Sequence, residues 1–76
     1  MDDQFADGFA EILEIEPAAI LPQLDVASHN WDSLAIVSTI ALVDELYGVV
    51  LDGKALSNCK TVADIQALVA GTKPSS

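Results

Sequence analysis

The residues best suited to chemistry in this sequence are Asp32 and Ser33, which stand side by side ahead of an apolar run from Ala35 to Tyr47. Both residue types cap helices, because a side-chain oxygen can accept a hydrogen bond from the first free backbone N–H groups. We therefore place Ser33 at a helix N-terminus, near the surface. Free N–H groups and the helix dipole favour an anion there. A hydroxyl at this position is suited to carrying a phosphate ester.

The sequence offers little support for Ser33 as the nucleophile of an enzyme. A nucleophilic serine needs a base within hydrogen-bond reach, and the single histidine, His29, is predicted to be a solvent-exposed loop residue. No oxyanion loop is evident, and the chain is too short for a substrate cleft. The single cysteine, Cys59, excludes an internal disulfide and a cysteine-built metal site; it is predicted to lie in the core or at its rim. We expect no catalytic residue, no metal and no enzymatic activity.

The composition limits the kinds of partner. The chain has 76 residues, which fits one domain, and 12 acidic against 3 basic residues give a net charge of −9. This charge argues against binding to nucleic acid or to an anionic membrane, and for basic partners met in fast, salt-sensitive encounters. The apolar run Leu34–Val43 is too short to span a bilayer, and the acidic start differs from a signal peptide. We expect a cytoplasmic protein.

The helical pattern begins near the N-terminus. Phe5, Phe9, Ile12 and Leu13 form one stripe of an amphipathic helix, which is predicted to end at Glu16-Pro17. A long loop follows, to about residue 30, and such loops are usually functional or disordered. Four apolar side chains are expected to hold it in place, namely Ile20, Leu21, Leu24 and Val26.

The second helix is predicted from Ser33 to Tyr47, with Gly48 closing it. Its apolar residues fall into two groups. The broad face expected to meet the other helices contains Leu34, Ile36, Val37, Ile40, Ala41, Val43 and Tyr47. A second strip of Ala35, Leu42 and Leu46, separated from the first by Ser38, Thr39 and Glu45, is either buried against the loop or turned towards a partner.

Two shorter elements complete the chain. A single helical turn is predicted over 54–58, and a last helix opens at the capping box Thr61-Val62-Ala63-Asp64 and ends at Gly71. The sequence thus predicts an all-α fold, a small four-helix bundle with three main helices, one short helix and a long loop between helices 1 and 2. The domain is expected to cover residues 1–71, with a flexible tail over 72–76.

Taken together, Asp32-Ser33-Leu34 and the apolar helix that ends in Asp44-Glu45-Leu46-Tyr47 resemble the acyl carrier protein family. The resemblance extends over nearly the whole chain. It implies that Ser33 carries 4′-phosphopantetheine, taken from coenzyme A, and that Asp32 and Leu34 complete the attachment motif. The thiol of this group would hold acyl intermediates as thioesters for enzymes of fatty-acid, polyketide or other specialised biosynthesis.

The resemblance also implies partners for a chain that we expect to be a monomer: a phosphopantetheinyl transferase, and acyl-loading and synthase enzymes with basic or apolar docking surfaces. The residues expected to contact them are Asp32, Ala35, Ile36, Asp44 and Glu45. Many fatty-acid carriers place acids directly after the motif and again one turn later, where this chain has Ala35 and Ser38. This departure favours a specialised pathway over housekeeping fatty-acid synthesis.

Three alternatives stay open from the sequence. An aminoacyl or peptidyl carrier usually has glycines just before the serine, where this chain has Asn30-Trp31-Asp32. A D-alanyl carrier for cell-wall polymers is a second alternative. In the third, the chain is a helical protein-interaction module and Asp32-Ser33 is only a cap. Trp31 either packs against the helix opening, which we favour because of its large apolar area, or lies along the prosthetic arm.

Overall fold

The computed structural model describes residues 3–29 and 31–72, which form four α-helices. Two single 3₁₀ turns, Pro17–Ala19 and Val26–Ser28, lie in the long connection between the first two helices. The helices are α1 (Asp3–Leu13), α2 (Ser33–Tyr47), α3 (Gly53–Ser57) and α4 (Val62–Gly71). The predicted all-α fold, with three longer helices and one short one, is confirmed. Most of the expected tail, residues 73–76, lies outside the described residues.

Helix α1 ends at Leu13, earlier than the end that was predicted from the position of Pro17. Glu14 adopts a left-handed conformation with φ of 60°. Its N–H donates to the carbonyl of Glu11 (3.2 Å), and the N–H of Ile15 donates to the carbonyl of Ala10 (3.0 Å). These two bonds form a Schellman motif, which usually has glycine at the left-handed position. The predicted end at Glu16-Pro17 was therefore wrong by three residues, because the sequence carries no glycine to mark this turn.

The long loop is held by backbone hydrogen bonds to the start of α4. The N–H of Val26 donates to the carbonyl of Lys60 (2.9 Å), and the N–H of Val62 donates to the carbonyl of Leu24 (3.2 Å). Of the four predicted anchors, Ile20 and Val26 are buried, Leu24 is half-buried, and Leu21 is exposed, contrary to expectation. These contacts fix the middle of the loop against the start of α4.

The core is one cluster of buried side chains that come from all four helices and from the long loop. The rings of Phe5 and Phe9 stack at a centroid distance of 5.3 Å, and the indole of Trp31 meets Phe9 edge-on at 5.9 Å. The packing of Trp31 that we favoured is therefore confirmed. The largest fully buried side chains are Phe5, Phe9, Leu13, Val26, Thr39, Val43, Leu56, Val62 and Ile65.

Helix α2 turns only part of the predicted broad face to the core, where Val43 is buried as expected. Leu34 is 74% exposed and Val37 is 62% exposed, and Ala41 is also exposed. Ala35 is buried instead, at 4% exposure. The prediction was wrong for the exposed residues because α2 is apolar almost all round, so its periodicity does not select one face.

The inner face of α2 contains a threonine that the pattern had treated as a polar separator. Thr39 is completely buried, and its hydroxyl donates to the carbonyl of Ala35 at 2.8 Å. Leu42 and Leu46, the other members of the predicted second strip, are half-buried. The strip is thus partly buried, and Leu42 lies against Gly8 of α1 and not, as the burial alternative had it, against the loop.

The segment after α2 behaves largely as predicted. Gly48 closes the helix at φ of 70°. The carboxylate of Asp52 accepts from the N–H of Ala55 (3.4 Å) and so caps α3. Cys59 is buried, and burial, followed by the nearby charge of Asp64, raises the pKa of its thiol. This environment suits a core residue and not a nucleophile.

Candidate functional site

The site begins at the N-terminus of α2, where Asp32 is the capping residue. Its backbone is extended, and its carboxylate accepts from the N–H of Ala35 at 2.9 Å. Its carbonyl accepts from the N–H of Ile36 at 2.9 Å, which closes the first turn. Because Asp32 makes both contacts, Ser33 is the first residue of the helix and its side chain is not needed for capping.

Ser33 is exposed at this helix start. Within the described part of the chain, its hydroxyl has no hydrogen-bond partner. The cap satisfies the N–H of Ala35, whereas the N–H groups of Ser33 and Leu34 belong to the first turn and have no partner inside the helix. An accessible hydroxyl thus lies beside two backbone donors at the positive end of a helix dipole, a setting that favours a phosphate ester.

An exposed apolar strip follows Ser33 along α2, and its first residue, Leu34, also lines a cavity. Leu34, Val37 and Ala41 form the exposed strip, which we call the outer strip of α2. Of the residues expected to bind partners, Asp32, Asp44 and Glu45 are exposed and Ile36 is half-buried. Ala35 must be corrected: its side chain faces the interior and is not available to a partner.

A cavity of about 250 Å³ opens beside Ser33, between the end of α1 and the start of α2. Its lining consists of Ile12, Glu14, Asp32, Leu34, Ala35 and Ser38. The lining combines two carboxylates and one hydroxyl with apolar carbon. Glu14 and Ser38 were not predicted as site residues. Glu14 reaches the cavity through its left-handed backbone, which the sequence does not reveal.

The remaining polar neighbours do not build a catalytic relay. His29 is exposed in the loop, and among the described residues no hydrogen bond joins it to Ser33. The indole N–H of Trp31 is buried and has no acceptor in residues 3–29 and 31–72. No cluster of three metal-ligating side chains occurs in the same residues. None of the described helices is long and apolar enough to cross a membrane.

The family model for the phosphopantetheine attachment site matches residues 3–69 of this chain. Searches of curated proteins and of solved structures gave no match. The matched range covers all of α1, α2 and α3 and most of α4, and it contains the exposed serine at the start of α2. The chain belongs to the phosphopantetheine attachment site family.

Proposed function

We propose that this chain is an acyl carrier protein and that Ser33 is the residue that carries 4′-phosphopantetheine. The observation that supports this most directly is the exposure of Ser33 as the first residue of α2, with its hydroxyl unpaired among the described residues. A transferase needs access to a hydroxyl that no intramolecular hydrogen bond occupies. The Asp32 cap provides this, because it satisfies the helix without using the serine.

The residues around Ser33 fit an attached 4′-phosphopantetheine. On loading, the Ser33 oxygen attacks the pantetheine-side phosphorus of coenzyme A, the pyrophosphate P–O bond breaks, and adenosine 3′,5′-bisphosphate leaves. The serine proton passes to a base that the transferase supplies. The N–H groups of the first turn face the phosphate side of that bond, where the helix dipole favours negative charge. When bound, the group supplies a thiol that holds the acyl cargo as a thioester. The chain itself positions the cargo and performs no chemistry.

The partners we propose are a phosphopantetheinyl transferase and the enzymes that load and use the cargo. Their contact surface on this chain combines the outer strip of α2 with the exposed carboxylates Asp32, Asp44 and Glu45. Ala35 and Ser38, both uncharged, stand where many fatty-acid carriers have acids, which favours partners whose docking depends less on charge. This difference supports a specialised pathway, such as polyketide synthesis.

Intact mass spectrometry tests the proposal. The protein is incubated with coenzyme A and a broad-specificity phosphopantetheinyl transferase, and we expect a gain of one phosphopantetheine. Ser33→Ala should gain nothing and keep its helical circular dichroism. Ser57→Ala, which removes an exposed serine from α3, should load like the unmodified chain. Loading of Ser33→Ala, or no loading of the native sequence by an active transferase, would contradict the assignment.

A further inference from the structure

An open groove with a volume of about 400 Å³ lies on the surface between α1 and α2, and we call it the α1–α2 groove. Its sides differ in chemistry along their depth, with apolar groups at the bottom and one exposed carboxylate on each helix. The apolar groups belong to Gly8, Ile12, Ala41 and Leu42, and the carboxylates belong to Glu11 of α1 and Glu45 of α2.

The two helices that form this groove approach each other closely. A Cβ atom on Gly8 would lie 2.6 Å from Cδ1 of Leu42, so glycine is what allows α1 to pack directly against α2 here. Because no third element separates the two helices, a protein that lies on the exposed face of α2 has the exposed face of α1 within reach.

The exposed face of α2 is too small to bind a partner protein alone. Helix α2 has 15 residues, so it is about 22 Å long and, at a diameter of about 11 Å with its side chains, its outward half covers roughly 400 Å². A standard specific interface covers about 800 Å² of each partner. The docking surface therefore has to continue onto α1 or onto α3, which packs beside Ile40 of α2 at Gly53.

Charge distinguishes these two directions. On α1, Asp7 and Glu11 are exposed, and the helix contains no basic residue. On the other side, the exposed Lys54 of α3 offsets the charge of the neighbouring Asp52. A basic partner surface is therefore attracted more strongly to the α1 side than to the α3 side.

The charges of α1 do not stabilise the helix that carries them. Asp7 and Glu11 are four residues apart, a spacing at which like charges repel each other on the helix surface. Glu11 also lies in the last turn of α1, where the helix dipole favours positive charge. Since folding does not benefit from these carboxylates, binding to a partner is the better explanation for them.

We propose that the α1–α2 groove is part of the docking surface for the phosphopantetheinyl transferase, with a lysine or arginine of that enzyme between Glu11 and Glu45. The inference rests on the proposed function. The apolar bottom of the groove accommodates the aliphatic stem of such a side chain, and the two carboxylates bind its charged end. The transferase is the partner that has to reach the Ser33 hydroxyl itself, and Ile12 lines both this groove and the cavity beside Ser33.

The rate of loading by a broad-specificity phosphopantetheinyl transferase, measured at several carrier concentrations, tests the inference. We expect Glu11→Gln to raise the KM for the carrier about two- to fivefold at low salt, the effect of one exposed ion pair. The kcat should not change, because Glu11 does not contact the reacting atoms. Urea denaturation should give Glu11→Gln at least the native stability, since the repulsion from Asp7 is removed.

Asp52→Asn is the matched control. It gives the chain the same net charge as Glu11→Gln, but it removes the charge from the α3 side and keeps an oxygen that can cap α3. If the α1 side binds the transferase, the KM of Asp52→Asn should stay close to the native value. The difference between the two variants should shrink as salt is added, because both charges are exposed.

The outcomes separate the two proposals. If the transferase does not load Ser33, the proposed function fails and this inference fails with it. If Ser33 is loaded and Glu11→Gln keeps the native KM, only the groove inference is overturned. Equal increases in the KM of Glu11→Gln and Asp52→Asn would also overturn it, because total charge and not α1 would then determine binding.

Discussion

Asp32 has two separable properties at the start of α2, an oxygen that accepts the N–H of Ala35 and a negative charge. Asp32→Ala removes both, and we expect it to lower the free energy of unfolding by about 1 kcal/mol, as is usual for a lost helix cap. Asp32→Asn keeps an oxygen acceptor, so its stability should change by only a few tenths of a kcal/mol. Urea denaturation followed by circular dichroism measures both. Equal losses would show that the charge, and not the hydrogen bond, stabilises the helix.

The same pair of variants separates capping from recognition. If the transferase uses the Asp32 charge, both variants should load Ser33 more slowly, although only Asp32→Ala is destabilised. If Asp32→Asn loads at the native rate, the residue serves the helix alone.

Glu14 is the second residue with an unusual position, because a side chain in the left-handed conformation costs about 1–2 kcal/mol. Glu14→Gly removes this cost, and we expect it to raise the free energy of unfolding by about 1 kcal/mol. Glu11→Gly is the matched control, since it replaces an exposed glutamate inside α1 and should destabilise by about 1 kcal/mol. Chemical denaturation measures the free energy of unfolding of both variants. A lower value for Glu14→Gly would show that the contacts of the Glu14 side chain stabilise the fold by more than its left-handed backbone destabilises it.

At the scale of the helix, the buried hydroxyl of Thr39 contributes little to the stability of α2. It donates to the carbonyl of Ala35, which is also placed to accept the backbone N–H four residues later. Thr39→Val therefore leaves no acceptor unpaired and places a methyl in the core, so we expect unchanged or slightly higher stability. Thr39→Ser keeps the hydroxyl and removes the methyl, and should cost about 1 kcal/mol. Thermal unfolding of both variants tests this; a clear loss in Thr39→Val would show that the hydrogen bond is needed.

Helix α4 should make stability depend on pH through its capping box. The carboxylate of Asp64 accepts from the backbone N–H groups of Lys60 (3.1 Å) and Thr61 (3.2 Å), and these bonds lower its pKa below the ordinary value of 3.8. Because the pKa of Asp64 is lower in the folded state than in the unfolded state, its ionisation adds stability at pH values above the unfolded-state pKa. This contribution is lost as the pH falls through the folded-state pKa. Asp64→Ala should therefore be less stable than the native chain at neutral pH. This difference should shrink at pH values below 3.8 in urea titrations, and a constant difference would contradict the assignment.

Helix ends could be predicted from the sequence where a capping residue marks them. The bounds of α2 followed from the polar residues at its start and from Gly48 at its end, because caps are encoded within a few residues. The buried face of α2 could not be predicted in this way, because the apolar Leu34 is exposed and the polar Thr39 is buried. The cavity beside Ser33 was not predictable either, because it depends on Glu14, whose left-handed conformation has no sequence marker.

At the scale of the whole molecule, charge and apolar surface should act on different steps of partner binding. The net charge of −9 attracts a basic partner over long range, so we expect the association rate with the transferase to fall as salt is added. The outer strip of α2 forms contacts only after the encounter, so its effect should appear mainly in the dissociation rate. Surface plasmon resonance at several salt concentrations measures the two rates separately.

Val37→Ser is the variant that tests this division of roles, because Val37 is a large exposed apolar residue near Ser33. We expect a faster dissociation rate, an unchanged slope of the association rate against salt, and unchanged stability, since the side chain packs little against the fold. Val50→Ser is the matched control, because Val50 is also exposed (55%) but lies beyond the end of α2. If both variants dissociate at the native rate and salt slows association, the transferase recognises this carrier through its charge, and the apolar strip has to serve the enzymes that use the cargo.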